Sequence, residues 1–434
     1  MEEQKELTEQ VQGETKAPVN EPKLVVGIDE FTLVLQPMKR VPVIIWKETA
    51  EEMIHEFLQA SKIENVFEPM EATNSQLVQG YTSGYQLAER PFYLCLCYND
   101  DNEDMGVCVK FSATAYAMYK KAYAEKYQQT MTLPKLLQMT ESEKYSQRLS
   151  RIDLTADYFN YQDPIYEGQY LNPDMIYKCL LQSQMKVVDY KGNCNIKTMS
   201  GHNKNGLFET IYIGSRKKSN SFLRIYDKRQ EQIDNYGFRY EEAVSCELWI
   251  RFEAVFRGIY AHQICETLMD NTLIQSDDDL QCFIAGKITD KYIFYNNATD
   301  EMLDFSECLL EIASGQAYAP LESPSPRDNE LLNSLYYIIM NSGLMITLAK
   351  ADMVYSDRQA SRELMDWLYD MYIEYYYSRA IEGKRPELDK WLKKHEKTVR
   401  DYPWEELLEA VETAIENGDN LNKKIKEKEE IEEA

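Results

Sequence analysis

Residues 151–159 read RIDLTADYF, and residues 248–258 read LWIRFEAVFRG. Polar and apolar side chains alternate in both segments, which is the period-two pattern of a β-strand with one face in a core. A third segment, SFLRIYDKRQ over 221–230, alternates in the same way. The apolar positions of the three segments are Ile152, Leu154, Leu223, Ile225, Phe252 and Phe256. We therefore expect three strands that bury these residues and carry charged groups on the opposite face.

The segments around these strands predict an α+β fold. Strand-like segments lie at 25–36, 92–97, 106–112 and 208–214, and helical segments lie at 47–62, 113–126 and 173–185. This order is not a strict βαβ array, which favours the α+β class over the α/β class. The order also recurs along the chain. We therefore expect two related α+β units, about 25–130 and 145–260, although the sequence shows no repeat.

Composition divides the remaining chain into three regions. Residues 1–24 are polar and rich in Glu and Gln, so we expect a disordered acidic leader. From 261 to 400 the apolar residues have helical spacing, which predicts a mainly helical C-terminal region. Residues 401–434 are an acidic run that predicts a helical or disordered tail. The catalytic α+β domain is expected to span 25–260.

The overall composition excludes several classes of protein. The longest apolar stretch, at 335–349, is interrupted by Asn341, Ser342 and Gly343, and no run reaches the roughly 18 residues of a membrane span. The charged N-terminus has no apolar signal-peptide core. Nine cysteines without CxxC pairs are typical of reduced thiols. We expect a cytoplasmic protein with no membrane partner.

The charge distribution marks one region for anion binding. The chain has a net charge of −25, which argues against nonspecific nucleic-acid binding. Residues 186–229 are the exception, with ten Lys and Arg against three acids. This basic island concentrates the capacity to bind anions, although chance clustering on a solvated loop would give the same composition.

Familiar catalytic motifs are absent from the sequence. The four histidines, His55, His202, His262 and His395, form no pair at metal-ligand spacing. The sequence contains no phosphate-binding lysine loop, no GxGxxG and no GxSxG nucleophile elbow. ATP-driven and nicotinamide-dependent reactions are therefore not indicated.

The polar faces of the three predicted strands carry groups suited to phosphodiester transfer. They are Arg151, Asp153, Thr155 and Asp157 on the first strand, Arg224, Tyr226 and Lys228 on the second, and Arg251, Glu253 and Arg257 on the third. Carboxylates on adjacent strands can hold Mg²⁺ or Mn²⁺, and cationic side chains offset charge on a phosphate. A tyrosine can attack phosphorus as a nucleophile. An ordinary solvated face explains each strand taken singly.

The same segments carry a family resemblance. TIYIGSRKKSNSFLRIYDKRQE (210–231), RIDLTADYF and LWIRFEAVFRG resemble the replication initiation factor (Rep_trans) family, and MGVCVKFSATAYAMY (105–119) is a looser match. The resemblance spans about 25–260. It implies a Rep/relaxase-type antiparallel sheet with flanking helices, in a rolling-circle plasmid initiator or a relaxase of a Gram-positive conjugative element. A phage initiator is a third context with the same chemistry.

The resemblance also implies a reaction. A tyrosine of this family nicks one DNA strand at an origin, forms a 5′-phosphotyrosine link and leaves a free 3′-OH, with a divalent metal, Mg²⁺ or Mn²⁺. Carried over to this chain, Tyr226 is the nucleophile. Asp153 and Glu253, with Asp157 as a further candidate, are the metal ligands. Arg224, Lys228 and Arg251 stabilise phosphate charge.

The predicted hairpin turn is the expected DNA contact. Its residues are Gly214, Ser215, Arg216, Lys217, Lys218 and Ser219, with the glycine and serines shaping the backbone and the cations on phosphates. The implied partners are origin DNA, the helicase and polymerase of the host, and a second copy in a homodimer.

Other interpretations remain open. Tyr212 competes with Tyr226 as nucleophile, although no cation shares its strand face. The chain could be a catalytically silent, sequence-specific DNA-binding protein of the same fold, or an acidic interaction protein whose basic island is incidental. A tyrosine recombinase fits poorly, because the histidines lie in unrelated contexts. Two features depart from the family: residues 112–115 read SATA, where the family has a glycine-containing turn, and the chain is unusually acidic for a DNA-binding protein.

Overall fold

The chain divides into two compact units, Met1–Glu322 and Ser323–Ala434. A computed structural model describes residues 21–39, 41–87, 92–162, 165, 168–194, 198–204, 206–217, 219–321, 331–340, 342–355, 358–374, 391–392, 404, 408–409, 411–412 and 415. Most of the expected leader and most of the expected acidic tail lie outside these residues. The domain boundaries expected from composition stay a prediction.

Ten strands of the first unit form one antiparallel sheet. They are β1 (Lys23–Pro37), β2 (Glu71–Thr73), β3 (Ser83–Gln86), β4 (Leu94–Tyr98), β5 (Val107–Phe111), β6 (Tyr145–Phe159), β8 (Met199–Lys204), β9 (Leu207–Ile213), β10 (Ser221–Asp227) and β11 (Trp249–Arg257). The short strands β7 (Met185–Val188) and β12 (Ile293–Asn296) pair separately in a second sheet. The three strands predicted from alternation are β6, β10 and β11.

The strand order of the large sheet repeats in its two halves. The order is β2-β3-β4-β5-β1-β6-β11-β10-β9-β8. In the first half, β1 lies at the centre of the sheet, β5 pairs with it, and β4, β3 and β2 follow outward. In the second half, β6 lies at the centre, β11 pairs with it, and β10, β9 and β8 follow outward. β1 and β6 join the halves. This arrangement agrees with two related α+β units, and the predicted α+β fold with a large antiparallel sheet is confirmed.

Ten helices flank the sheet within the described part of the first unit. They are α1 (Val43–Ser61), α2 (Ile63–Val66), α3 (Ala113–Tyr127), α4 (Leu133–Met139), α5 (Pro173–Leu181), α6 (Lys228–Asp234), α7 (Tyr240–Ser245), α8 (Ile259–Met269), α9 (Asp277–Thr289) and α10 (Asp304–Ala313). Polar caps start several of them: Ser112, Thr132 and Asn172 each accept a hydrogen bond from a backbone N–H in the first turn.

The main core lies between the helices and one face of the sheet. The six apolar positions predicted to be buried, from Ile152 to Phe256, all belong to it. Trp46 of α1, Tyr119 of α3 and Phe283 of α9 fill it from the helical side and are fully buried. Helices therefore cover the apolar face, and the opposite face is left for the polar side chains of β6, β10 and β11.

The described residues of the second unit are helical except at the bend of Ser342 and Gly343. Its helices are α11 (Leu331–Met340), α12 (Leu344–Tyr355) and α13 (Arg358–Met371). This confirms the mainly helical character expected for the C-terminal part. Among the described residues of the whole chain, no helix is both long enough and apolar enough to cross a membrane.

Candidate active site

The register of β6, β11 and β10 brings the predicted site residues together on the face of the sheet opposite the main core. Asp157 on β6 lies opposite Arg251 on β11, which lies opposite Tyr226 on β10. One step along the strands, Glu253 on β11 lies opposite Arg224 on β10. Neighbouring strands lie about 4.8 Å apart, so these side chains form one continuous surface. Sequence alternation predicted the shared face, and the register shows which residues meet.

Tyr226 is held by a carboxylate and a guanidinium group. Its hydroxyl donates a hydrogen bond to Glu253 Oε2 at 3.2 Å, and the Arg224 guanidinium lies 4.6 Å from the centre of its ring. Arg224 Nη2 also donates to Glu253 Oε2, at 2.5 Å. The side chain of Tyr226 is buried, with 7% of its surface exposed. The phenol, the carboxylate and the arginine therefore form one hydrogen-bonded group.

Burial controls the ionisation of Tyr226. Desolvation raises the pKa of its hydroxyl well above the ordinary value, Glu253 raises it further, and Arg251 and Arg224 oppose the increase. The loss of solvent therefore outweighs the effect of two guanidinium groups on this hydroxyl. A proton acceptor is therefore needed, and Glu253 is in hydrogen-bond contact.

Lys228 lies at the start of a helix next to Tyr226. It is the first residue of α6, where Asp227 caps the helix by accepting a hydrogen bond from Gln230 N. Lys228 is buried, and its Nζ lies 2.7 Å from Glu231 Oε2 and 5.7 Å from the centre of the Tyr226 ring. The ammonium is thus paired within its own helix while still close to the tyrosine.

Asp157 is engaged by arginines on two sides. Arg251 Nε and Nη2 donate to Asp157 Oδ1 and Oδ2 at 2.6 and 2.8 Å, and Arg239 Nη1 donates to Oδ2 at 3.0 Å. Burial opposes ionisation, but Arg251 and Arg239 hold the pKa of Asp157 below its ordinary value. The third donor of Arg251, Nη1, bonds Asp29 Oδ1 at 2.6 Å. Both Arg251 and Asp157 are therefore structural members of a buried ion-pair network.

Asp153 forms a separate pair on the same face. Arg151 Nε and Nη2 donate to its two oxygens at 2.8 and 2.6 Å. Burial raises the pKa of Asp153 to about 7 against the effect of Arg151, and Glu253 and Glu30 raise it further. Three carboxylates therefore influence one another here, with an arginine beside Asp153.

The three candidate metal ligands do not fit a metal centre in this arrangement. Both oxygens of Asp153 and both oxygens of Asp157 accept hydrogen bonds from arginines, and Glu253 Oε2 accepts from Arg224 and Tyr226. Among the described residues, no group of three or more His, Cys, Asp or Glu side chains could hold a metal ion. Each of the three carboxylates is instead paired with a guanidinium group.

The connection between β9 and β10 is a hairpin loop over residues 214–220, as the sequence predicted. Gly214 has φ +98°, and a Cβ there would lie 3.2 Å from the carbonyl oxygen of Ser221, so a side chain would be strained and crowded. Ser219 Oγ donates to that same carbonyl at 2.6 Å. Arg216 and Lys217 are exposed at the turn, whereas Ser215 is half-buried. Lys218 lies outside the described residues.

Tyr212 has cations close by, contrary to the sequence-based argument against it. Arg224 lies directly opposite on β10, and the Arg216 guanidinium lies 4.4 Å from the centre of the Tyr212 ring. Cationic surroundings therefore do not distinguish the two tyrosines. The hydrogen bond to Glu253 does, because it belongs to Tyr226.

Several residues of the site were missed by sequence reasoning. Asp29 and Glu30 come from an irregularity in the pairing of β1 with β6, between Ile28 and Phe31. Two adjacent acids inside a predicted strand were a usable signal for them. Arg239 comes from the segment between α6 and α7 and lies over Trp249, 4.1 Å from the ring centre. Nothing in the sequence around Arg239 marks it.

All the predicted site residues fall within one matched segment. Residues 147–308 match the family model of the replication initiation factors. The predicted resemblance is therefore confirmed over this range, which continues past 260 and does not include the looser match at 105–119. The segment runs from β6 into α10.

The chain is also similar to a solved structure. That structure is of the rolling circle replication initiator protein from Geobacillus stearothermophilus. The match covers 69% of this chain and 100% of the other chain, with 15% sequence identity and a TM-score of 0.45. No curated protein matches the chain.

Proposed function

We propose that this protein is a DNA replication initiator or relaxase that nicks one strand at a specific origin. Tyr226 is the nucleophile, which forms a 5′-phosphotyrosine link and releases a 3′-OH that primes rolling-circle replication. The observation that carries the proposal is the hydrogen bond from Tyr226 to Glu253 between two arginines, inside the segment that matches the replication initiation factor model. The element can be a plasmid, a phage or a conjugative element.

The neighbours of Tyr226 suggest how the reaction proceeds. Glu253 accepts the phenol proton while the Tyr226 oxygen attacks phosphorus, and the bond to the 3′-oxygen breaks as that oxygen takes up a proton. Arg224 supports the added negative charge. Its Nε is buried and lacks a hydrogen-bond partner among the described residues, so a nonbridging phosphate oxygen would satisfy it. Reversal of these steps rejoins the strand.

The remaining roles in this proposal are those that the family resemblance implies. In our proposal Gly214, Ser215, Ser219, Arg216, Lys217 and Lys218 form the DNA contact at the hairpin turn, with Lys228 and Arg251 supporting phosphate charge. The resemblance implies Asp153, Glu253 and Asp157 as ligands of Mg²⁺ or Mn²⁺. Their ion pairs with arginines do not favour metal binding, and no step above depends on a metal. The partners are origin DNA, the helicase and polymerase of the host, and a second copy of the chain. The location is the cytoplasm.

A nicking assay tests the proposal. Supercoiled DNA with the candidate origin of the same genetic element is incubated with wild-type protein, Tyr226→Phe or Tyr212→Phe, each with Mg²⁺, Mn²⁺ or a chelator. We expect nicking and a covalent link to the 5′ end with wild type and Tyr212→Phe, and neither with Tyr226→Phe. Nicking that survives in Tyr226→Phe and disappears in Tyr212→Phe would transfer the nucleophile to Tyr212. Nicking in the chelator would show that the arginines suffice.

A second candidate is a catalytically silent, sequence-specific DNA-binding protein. The burial of Tyr226 and the raised pKa of its hydroxyl favour it, since a buried neutral phenol is a poor nucleophile. Under this alternative the origin is bound with a dissociation constant that depends on sequence, and no covalent complex forms in any metal. The same incubation, analysed for binding and for covalent product, separates the two functions.

A further inference from the structure

We propose that the first half of the sheet carries a second DNA subsite, a pocket at Tyr93 that binds a nucleobase of the single strand held at Tyr226. The proposal rests on the proposed function, because it needs a single strand on the polar face. It assigns a ligand class, an unpaired nucleobase, to a pocket far from the reacting phosphate.

The pocket is an open depression on the surface, with polar and apolar groups in its lining. Its volume is about 510 Å³, and it is lined by Gln76, Leu77, Val78, Gln79, Tyr93 and Lys110. Small-molecule sites commonly occupy roughly 300–1,000 Å³ and combine apolar walls with a few polar groups. A tyrosine ring offers a stacking surface for any base, and glutamine amides can both donate and accept on a base edge.

The loop that forms the pocket is fixed in position. Tyr93 Oη donates to the carbonyl oxygen of Gln76 at 2.8 Å, and Gln86 Nε2 donates to the carbonyls of Ser75 and Gln76 at 3.2 and 3.1 Å. Below it, the buried thiols of β4 and β5 pack against Leu77 and Val78. A preformed pocket does not lose binding free energy by ordering a loop.

A row of cations connects the pocket with the strands of the active site. Arg257 on β11 lies opposite Arg151 on β6, Arg151 lies opposite Thr32 on β1, and Thr32 lies opposite Lys110 on β5. Arg151 and Lys110 share Glu30, whose Oε1 lies 3.1 and 3.3 Å from their nitrogens. The row crosses three strand intervals, about 14 Å at about 4.8 Å each. Because Glu30 and Asp153 pair with two of these cations, the row supplies hydrogen-bond donors, rather than unpaired charge, to a backbone that runs across the strands.

The span from Tyr226 to the pocket fits a short single strand. Across the sheet, β10 and β5 are four strand intervals apart, which is about 19 Å. Along the strands, the row of cations is displaced from Tyr226 by the six residues between Arg251, which lies opposite Tyr226, and Arg257. These six residues span about 20 Å. The diagonal is about 28 Å. A stacked strand advances about 3.4 Å per nucleotide, so the pocket lies about eight nucleotides or fewer from the nick.

Photocrosslinking and binding measurements test the pocket. Full-length protein binds fluorescein-labelled thymidine 20-mers with 5-iododeoxyuridine at one position, and irradiation followed by mass spectrometry locates the crosslinks. We expect a crosslink at Tyr93, and a dissociation constant raised about tenfold in Tyr93→Leu, which corresponds to about 1.4 kcal/mol and lies within the range for one base–aromatic stack. Tyr127→Leu is the matched control, because Lys62 Nζ lies 4.8 Å from that ring on the helix-covered side.

The outcomes separate this proposal from the proposed function. Crosslinks confined to other segments, with an unchanged dissociation constant in Tyr93→Leu, overturn the pocket while nicking by Tyr226 stands. Crosslinks at Tyr93 without any Tyr226-dependent nicking keep the subsite and reject the nicking function. If Tyr93→Leu does not fold, Gln79→Ala and Lys110→Gln replace it, and both are expected to weaken binding. Unchanged binding in both would also overturn the pocket.

Discussion

Replacement of Arg251 by methionine should destabilise the sheet strongly. Arg251→Met keeps the length of the side chain but removes three hydrogen bonds, two to Asp157 and one to Asp29. At about 1.5–3 kcal/mol for each charged hydrogen bond, the simple sum reaches about 9 kcal/mol. The loss will be smaller, because Arg239 still bonds Asp157 and water can reach Asp29. We expect about 3–5 kcal/mol, the cost of breaking a buried ion pair.

Hydrogen exchange measured by mass spectrometry is the appropriate assay, because the chain has two units and need not unfold in one step. Peptides from β6 and β11 report the free energy of opening of the sheet. Lys178→Met is the control, since its side chain is half-exposed and its i,i+4 ion pair with Asp174 on α5 is worth less than about 1 kcal/mol. If Arg251→Met lowers the free energy of opening no more than the control does, the stabilising role of the ion-pair network is refuted. The double variant Arg251→Met/Asp157→Leu should recover much of the stability that Arg251→Met loses.

Two further predictions follow from burial and backbone geometry. Burial, with Arg148 nearby, lowers the pKa of His262, so below pH about 6.5 the unfolded chain binds a proton that the folded chain does not. The stability of the fold should therefore decrease as the pH falls from 6.5 to 5. Melting temperatures measured over this pH range should change less in His262→Gln than in wild type. Gly214→Ala should weaken the hairpin and its DNA binding more than Gly192→Ala does. Both glycines have positive φ, but a Cβ would be crowded only at Gly214. Thermal melts and DNA-binding titrations of both variants measure this difference.

Much of the candidate site could be predicted from alternation. Period two placed Asp157, Tyr226 and Arg251 on polar faces, and the apolar faces are buried as expected. The strand register was not predictable, because β6 pairs with β1 and β11, whose positions in the sheet are not encoded in local spacing. The ion pairs depend on that register. The sequence therefore showed carboxylates as free metal ligands, whereas the fold pairs each with an arginine.

Other parts of the site depend on irregular backbone. Asp29 and Glu30 reach the polar face through a break in the β1–β6 register, and Arg239 reaches Asp157 from a segment between two short helices. Propensity and periodicity describe regular elements, so they cannot place such residues. Burial around Tyr226 was equally hidden, because desolvation comes from the packing of several segments.

The central position of β1 has a consequence for synthesis of the chain. One edge of β1 can pair early with β5. The other edge of β1 pairs with β6, which is synthesised about 120 residues after β1, as the paired residues Phe31 and Ile152 show. At roughly 5–20 residues per second, translation leaves that edge open for about 6–24 seconds. An unpaired edge in this interval is a template for wrong strand pairing. A nascent chain paused before β6 should therefore be unusually prone to aggregate and to recruit chaperones.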